Sequence, residues 1–193
     1  MSTDLEALIE NPGAFLDDDD PAVRRLAVSV CEPKAPALID RLGAILAADA
    51  EPAVRSQAAE ALAPAGTAAL PFLDAARDDE DRMVVEAVAT AYGEIGDSGA
   101  VDWLTERAQE SSEVTIGEAA VASLGSIGDE RAVPVLLDLV STGRPQVRRR
   151  AVVALTAFDG DEVEAAIRQA RDDRNPMVRE VAEMVVGRSV PDV

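Results

Sequence analysis

An apolar residue recurs at Val23, Val54, Val84, Ile116, Val147 and Val178, at intervals of 30 to 32 residues, and this internal period constrains the fold more than any other feature of the chain. Two residues ahead of each anchor stand Pro21, Pro52, Arg82, Val114, Pro145 and Pro176. Proline suits the first position of a helix, where its missing N–H is no loss and its φ is preset. Immediately before come Asp20, Glu51, Asp81, Glu113, Arg144 and Asn175, most of them caps or acids favoured by the positive start of a helix. Each anchor therefore opens a helix.

Four and eight residues after the anchors lie Ala27 and Cys31, Ala58 and Leu62, Val88 and Tyr92, Ala120 and Leu124, Ala151 and Leu155, Ala182 and Val186. That spacing puts them with the anchor on one helical face, and the small middle residue lets a neighbouring helix come close. Stop signals follow at Pro33, Pro64, Gly96, Gly128 and Gly160. A second set of apolar-spaced helices fills the intervals, over 37–46, 69–76, 101–108, 133–140 and 163–170, and the segment 4–16 supplies a shorter partner for the first anchored helix. The expectation is an all-α chain, an α-α superhelix of six helical hairpins. A hairpin of this size cannot bury its apolar face alone, so stability comes from the interfaces between neighbours. One domain is expected over 1–193, with units at 1–32, 33–63, 64–96, 97–128, 129–159 and 160–188 and a tail at 189–193.

Small side chains carry this packing: 48% of residues are hydrophobic but only 3% aromatic, so Ala and Val do most of the work. Tyr92 fills the slot of Leu62, Leu124 and Leu155, and with Trp103 and the lone Cys31 it reads as core. One cysteine forms no internal disulfide and offers too few ligands for structural zinc. The chain has no histidine, which removes the commonest metal ligand and the commonest general base. No metal, cofactor or catalytic residue is expected. The net charge of −19 with Lys34 as sole lysine is the composition of a salt-adapted cytoplasmic protein, whose carboxylates hold water while salt screens their repulsion. No signal peptide or membrane span is legible, so a soluble, cytoplasmic chain is expected.

The runs Ala91-Tyr92-Gly93-Glu94-Ile95-Gly96-Asp97 with Ala100-Val101-Asp102-Trp103-Leu104, and Leu124-Gly125-Ser126-Ile127-Gly128-Asp129 with Ala132-Val133-Pro134-Val135-Leu136, resemble the short HEAT repeats named after phycobilisome lyases. With the proline, Val-Arg and alanine positions of the other units, the resemblance covers almost the whole chain. It implies a right-handed solenoid, a scaffold reused in bilin lyases and adaptors. Deoxyhypusine hydroxylase, built on similar repeats, is implied to bind iron through His-Glu pairs, and a chain without histidine does not inherit that activity.

An arginine follows the anchor at Arg24, Arg55, Arg148 and Arg179, and Asp18, Asp49 and Asp173 stand five residues before an anchor. In this family such residues are implied to form a ladder between units, for which the fixed fork of a guanidinium is suited. Val85 and Gly117 replace the arginine in the third and fourth units, so the ladder is expected to break there. The acidic runs 17–20 and 78–81 lack the glycine and spaced ligands of a calcium loop and read as solvated turns. The resemblance also implies that the anchored helices line a concave surface, carrying Arg25, Ser29, Glu60, Glu86, Thr90, Glu94, Arg149, Arg150, Val153, Met184 and Arg188. Of these, Arg149, Arg150, Glu86, Glu94, Glu60 and Arg188 are the candidate partner contacts. Arg149 and Arg150 matter most, because they stand where other units hold serine, glutamine or glutamate.

These features predict a non-catalytic scaffold or adaptor holding a protein partner. A bilin-lyase-like enzyme or enzyme subunit is the alternative, resting on the resemblance. A third reading, nucleic-acid or phosphate binding through the run Arg148 to Arg150, ranks last because phosphate contacts are steeply salt-dependent and a high-salt setting suppresses them.

Overall fold

Prolines 21, 52, 145 and 176 each sit in the first turn of a helix, and they open four of the six anchored helices. The computed structural model describes residues 2–187, so Arg188 and the tail 189–193 lie outside the described residues. Among the described residues there are α-helices and short 3-10 turns but no strand: α1 (Ser2–Glu10), α2 (Pro21–Ser29), α3 (Pro36–Ala48), α4 (Pro52–Leu62), α5 (Leu70–Ala76), α6 (Arg82–Ile95), α7 (Val101–Glu110), α8 (Val114–Ile127), α9 (Val133–Thr142), α10 (Pro145–Leu155), α11 (Asp161–Gln169) and α12 (Pro176–Val186). The six anchored helices are the even-numbered ones. None of the described helices is long and apolar enough to cross a membrane.

Starts and stops follow local chemistry. Asp20 and Asn175 accept hydrogen bonds from the N–H groups of Ala22 and Met177, and Asp81 does the same for Met83. At the end of α8, Gly128 takes a left-handed conformation (φ 67°) and returns its N–H to the carbonyl of Leu124, a geometry that a Cβ would oppose.

The helices gather into two compact units, Met1–Ile95 and Gly96–Val193. In the first, α4 packs between α2 and α6, α3 lies against α4 and α5, and α5 lies against α6. In the second, α10 packs between α8 and α12, while α7 and α9 cover α8 and α10 and α11 covers α12. Anchors Val54, Val84, Ile116, Val147 and Val178 are buried. Val23 is only half-buried, because α2 has a short 3-10 turn, Pro12–Phe15, packed against it where a full hairpin would stand.

Behind the anchors the core is made of small and branched side chains, among them Ala58, Leu62, Ala120, Leu124, Ala151 and Leu155, each with no exposed surface. Burying a leucine or valine side chain fully is worth about 1.5–3 kcal/mol. Tyr92 is buried too, and its hydroxyl donates to Asp74 Oδ1 at 2.5 Å. The Trp103 ring is buried with the Arg107 guanidinium 5.9 Å from its centroid. Cys31 is buried, which pushes its thiol above the ordinary range.

Candidate functional site

One residue past an anchor a helix is still in its first turn, so a long side chain there reaches toward the loops at the hairpin tips. Arg24 uses this reach to donate from Nε and Nη2 to Asp49 Oδ2 and Oδ1, at 2.7 and 2.9 Å, and from Nη1 to the carbonyl of Asp18 at 2.8 Å. Arg55 repeats the pattern with Asp79, at 2.9 and 2.8 Å, and the carbonyl of Asp49 at 2.9 Å. Arg148 repeats it with Asp173, at 2.8 and 2.7 Å, and the carbonyl of Gly143 at 2.9 Å. Each arginine thus spans its own loop and the loop of the next repeat. Arg179, in the last repeat, donates to the carbonyl of Asp173 at 2.8 Å.

The aspartates are doubly used. Asp49, Asp79 and Asp173 also accept the backbone N–H two residues on, from Glu51, Asp81 and Asn175. The Arg24 guanidinium holds the Asp49 carboxyl below its usual range, and the Arg148 guanidinium does the same for Asp173. For Asp79 burial pushes upward, but the hydrogen bonds from Arg55 and the Asp81 N–H together outweigh it and the net direction is down.

Two particulars differ from the spacing argument. Asp18 enters through its carbonyl, while its carboxylate accepts the N–H of Asp20 and meets no arginine of another described repeat. Asp79 is a partner the spacing argument passed over. It stands five residues before Val84, but the repeat holding it has no arginine of its own, and the arginine that needs it belongs to the previous repeat.

On the exposed side of the anchored helices, the first unit presents Arg25 and Ser29 of α2, Glu60 of α4 and Thr90 and Glu94 of α6, with Glu86 half-buried. Gln57 donates to Glu60 at 2.8 Å, and a shallow cleft of about 400 Å³ lies between Arg25, Leu26, Ser29 and Gln57. The second unit presents Arg149 and Arg150, both half-buried, Val153 (45% exposed) and Met184 (56% exposed).

The run Arg148 to Arg150 is not one basic patch, because consecutive helical residues point about 100° apart. Arg148 is 1% exposed and spent on Asp173. Arg149 reaches Glu118 of α8 at 3.5 Å. Arg150 lies beside a groove of about 290 Å³ between α8 and α10, floored by Ala122, Gly125 and Ala154 and edged by Val153. Its Nε is buried and makes no hydrogen bond to any described residue. Small residues build the groove: a Cβ on Gly125 would stand 2.7 Å from the Ala154 Cα, so the two helices pass nearly in backbone contact. Among the described residues no group of three or more Cys, Asp or Glu side chains is arranged to hold a metal ion.

A family model described as HEAT repeats matches residues 6–90, 39–122 and 112–187. No curated protein matches the chain. Solved structures do: the complex of CpcE and CpcF of phycocyanin lyase from Nostoc is 23% identical, over 90% of this chain and 74% of that one, with a TM-score of 0.68. The Escherichia coli protein YibA is 17% identical, over 90% and 67%, with a TM-score of 0.65. A designed armadillo repeat protein in complex with the peptide (KR)4 is 17% identical, over 93% and 98%, with a TM-score of 0.64. At these identities the likeness is one of fold.

Proposed function

We propose that this chain, which belongs to the HEAT-repeat family, is a non-catalytic scaffold that holds a protein partner against the exposed side of its anchored helices. The observation that carries this reading is the groove between α8 and α10. Arg150 borders it with a buried donor that no described residue satisfies, and Val153 adds exposed apolar surface beside it. Arg150 as a whole is half-buried, so a partner seated in the groove meets a positive charge at its edge. The fitting partner segment is an acidic peptide, whose carboxylate offers two acceptors to a guanidinium. Helices fixed by their repeat neighbours lose little entropy when they bind. The solved repeat structures similar in fold include one in complex with another protein chain and one in complex with a peptide, which supports the reading.

The test is capture of a partner by purified protein with Arg150→Glu, alone and with Arg149→Glu, against a control Arg171→Glu on an exposed turn of the same unit. The expected outcome is loss of the partner from the Arg150 variants only, with helicity and melting unchanged. Equal capture by all variants removes the groove from the site.

The likeness to a phycocyanin lyase complex supports a second reading, a bilin-binding lyase subunit. Mixing the protein with a free bilin and recording the visible spectrum decides it. An unshifted band leaves that reading without support.

A further inference from the structure

We infer that the open rung between the fourth and fifth repeats is a receptor for a guanidinium side chain, an arginine presented by a protein partner. Three rungs of this chain show what the place is shaped to hold. Arg24, Arg55 and Arg148 each lay a guanidinium between the loop of their own repeat and the loop of the next, held by a carbonyl on one side and a carboxylate on the other. In the fourth repeat that arginine is Gly117, and the aspartate that would meet it from the fifth repeat is Thr142. Both reaching groups are absent, while α8 and α10 still pack against each other. A cavity of about 260 Å³ remains, bounded by Gly117, Glu113, Asp138, Thr142, Val147 and, at the loop edge, Arg144.

The cavity is open from the backbone outward, since a Cβ on Gly117 would meet nothing nearer than Val147 Cγ2 at 3.6 Å. Two carboxylates line it, Glu113 and Asp138, beside the Arg144 guanidinium at its edge. Asp138 takes a hydrogen bond from Thr142 Oγ1 on Oδ2, at 3.3 Å, and none from a described residue on Oδ1. The loop edge already receives a guanidinium: Arg144 of the fifth repeat reaches back and donates from Nη1 to the carbonyl of Ser112 at 2.7 Å. That contact runs opposite to a rung, from the later repeat to the earlier. It shows that the loop carbonyls of the fourth repeat face the same kind of donor that the other rungs use.

A planar fork suits this place better than an ammonium or a metal ion. The rungs present a carbonyl and a carboxylate at separate points, which one guanidinium reaches together and a single-point cation does not. The inference stands independently of the Arg150 groove, which lies on a different set of residues and calls for the opposite charge.

The test is titration of the full-length, isotope-labelled protein with L-argininamide, followed by amide NMR in about 1 M KCl so that diffuse attraction to the acidic surface is screened. Saturable shifts are expected at Gly117, Thr142, Gly143 and their neighbours, with acetyl-lysinamide binding at least about fivefold more weakly. Gly117→Arg with Thr142→Asp supplies the chain's own rung and is expected to abolish these shifts. Asp138→Asn is expected to weaken binding by about threefold or more, and it carries the test if the filled variant does not fold. Shifts that grow linearly, spread over the surface or survive filling the rung overturn the inference, and so does equal binding of the lysine probe. Loss of partner capture in Arg150→Glu is read separately and leaves these outcomes unchanged.

Discussion

At Arg148 a cationic side chain 1% exposed is held by both oxygens of Asp173 and a loop carbonyl, so almost none of its charge is met by water. Removing one partner of such a pair strands the other. Arg148→Ala is therefore expected to destabilise the chain by about 3–5 kcal/mol, read as a lower urea midpoint. Arg24, whose side chain is 15% exposed, should show a clearly smaller fall. The same pairs set a pH dependence. Asp49, Asp79 and Asp173 have folded pKa values below their ordinary ones, so their stabilisation is fully present above the unfolded carboxylate value and is lost as pH falls through the folded value. Melting temperature should hold from neutrality to about pH 5 and drop below about pH 4. The drop should be shallower in Arg148→Ala, and an unchanged profile there would show that the pair contributes nothing to acid sensitivity.

Between helices, two glycines of α8 make a paired experiment. Gly125 faces the backbone of α10, and a Cβ there would lie 2.7 Å from the Ala154 Cα and 2.8 Å from its Cβ. A Cβ on Gly117 would meet only ordinary contacts, Val147 Cγ2 at 3.6 Å and the Ala108 carbonyl at 3.9 Å. Alanine in mid-helix gains roughly 0.8–1 kcal/mol over glycine where nothing opposes it, whereas overpacking costs about 1–3 kcal/mol. Gly117→Ala should raise the melting temperature and Gly125→Ala should lower it. If both moved in the same direction, helix propensity alone would explain them and the close crossing of α8 and α10 would be in doubt.

Across the whole molecule the governing quantity is charge: 37 Asp and Glu against 18 Lys and Arg. Self-repulsion on that scale weakens the compact state and is screened by salt, because the Debye length falls from about 10 Å at 0.1 M to about 3 Å at 1 M. Calorimetry from about 0.1 to 1 M KCl should show a melting temperature rising by several degrees. A flat or falling curve would mean that the carboxylates are already balanced locally, as the paired aspartates are.

The 31-residue rhythm, the first-turn prolines and the small residues one turn behind each anchor were enough to place every anchored helix and to class the chain as all-α, because hydrophobic period and helix-start chemistry are local properties. The positions of the ladder residues were legible for the same reason. Their partners were only partly so: an arginine whose carboxylate lies in the next repeat cannot be matched by searching within one repeat, which is how Asp79 was passed over. The three consecutive arginines looked alike in sequence, yet one is buried in a rung, one meets Glu118 and one borders a groove. The order of residues dictated which surfaces had to be covered, since that depends on period alone. Only the packing of helix against helix decided where a substitution left a cavity and where a guanidinium lost its acceptor, since both depend on what the neighbouring repeat places across the gap.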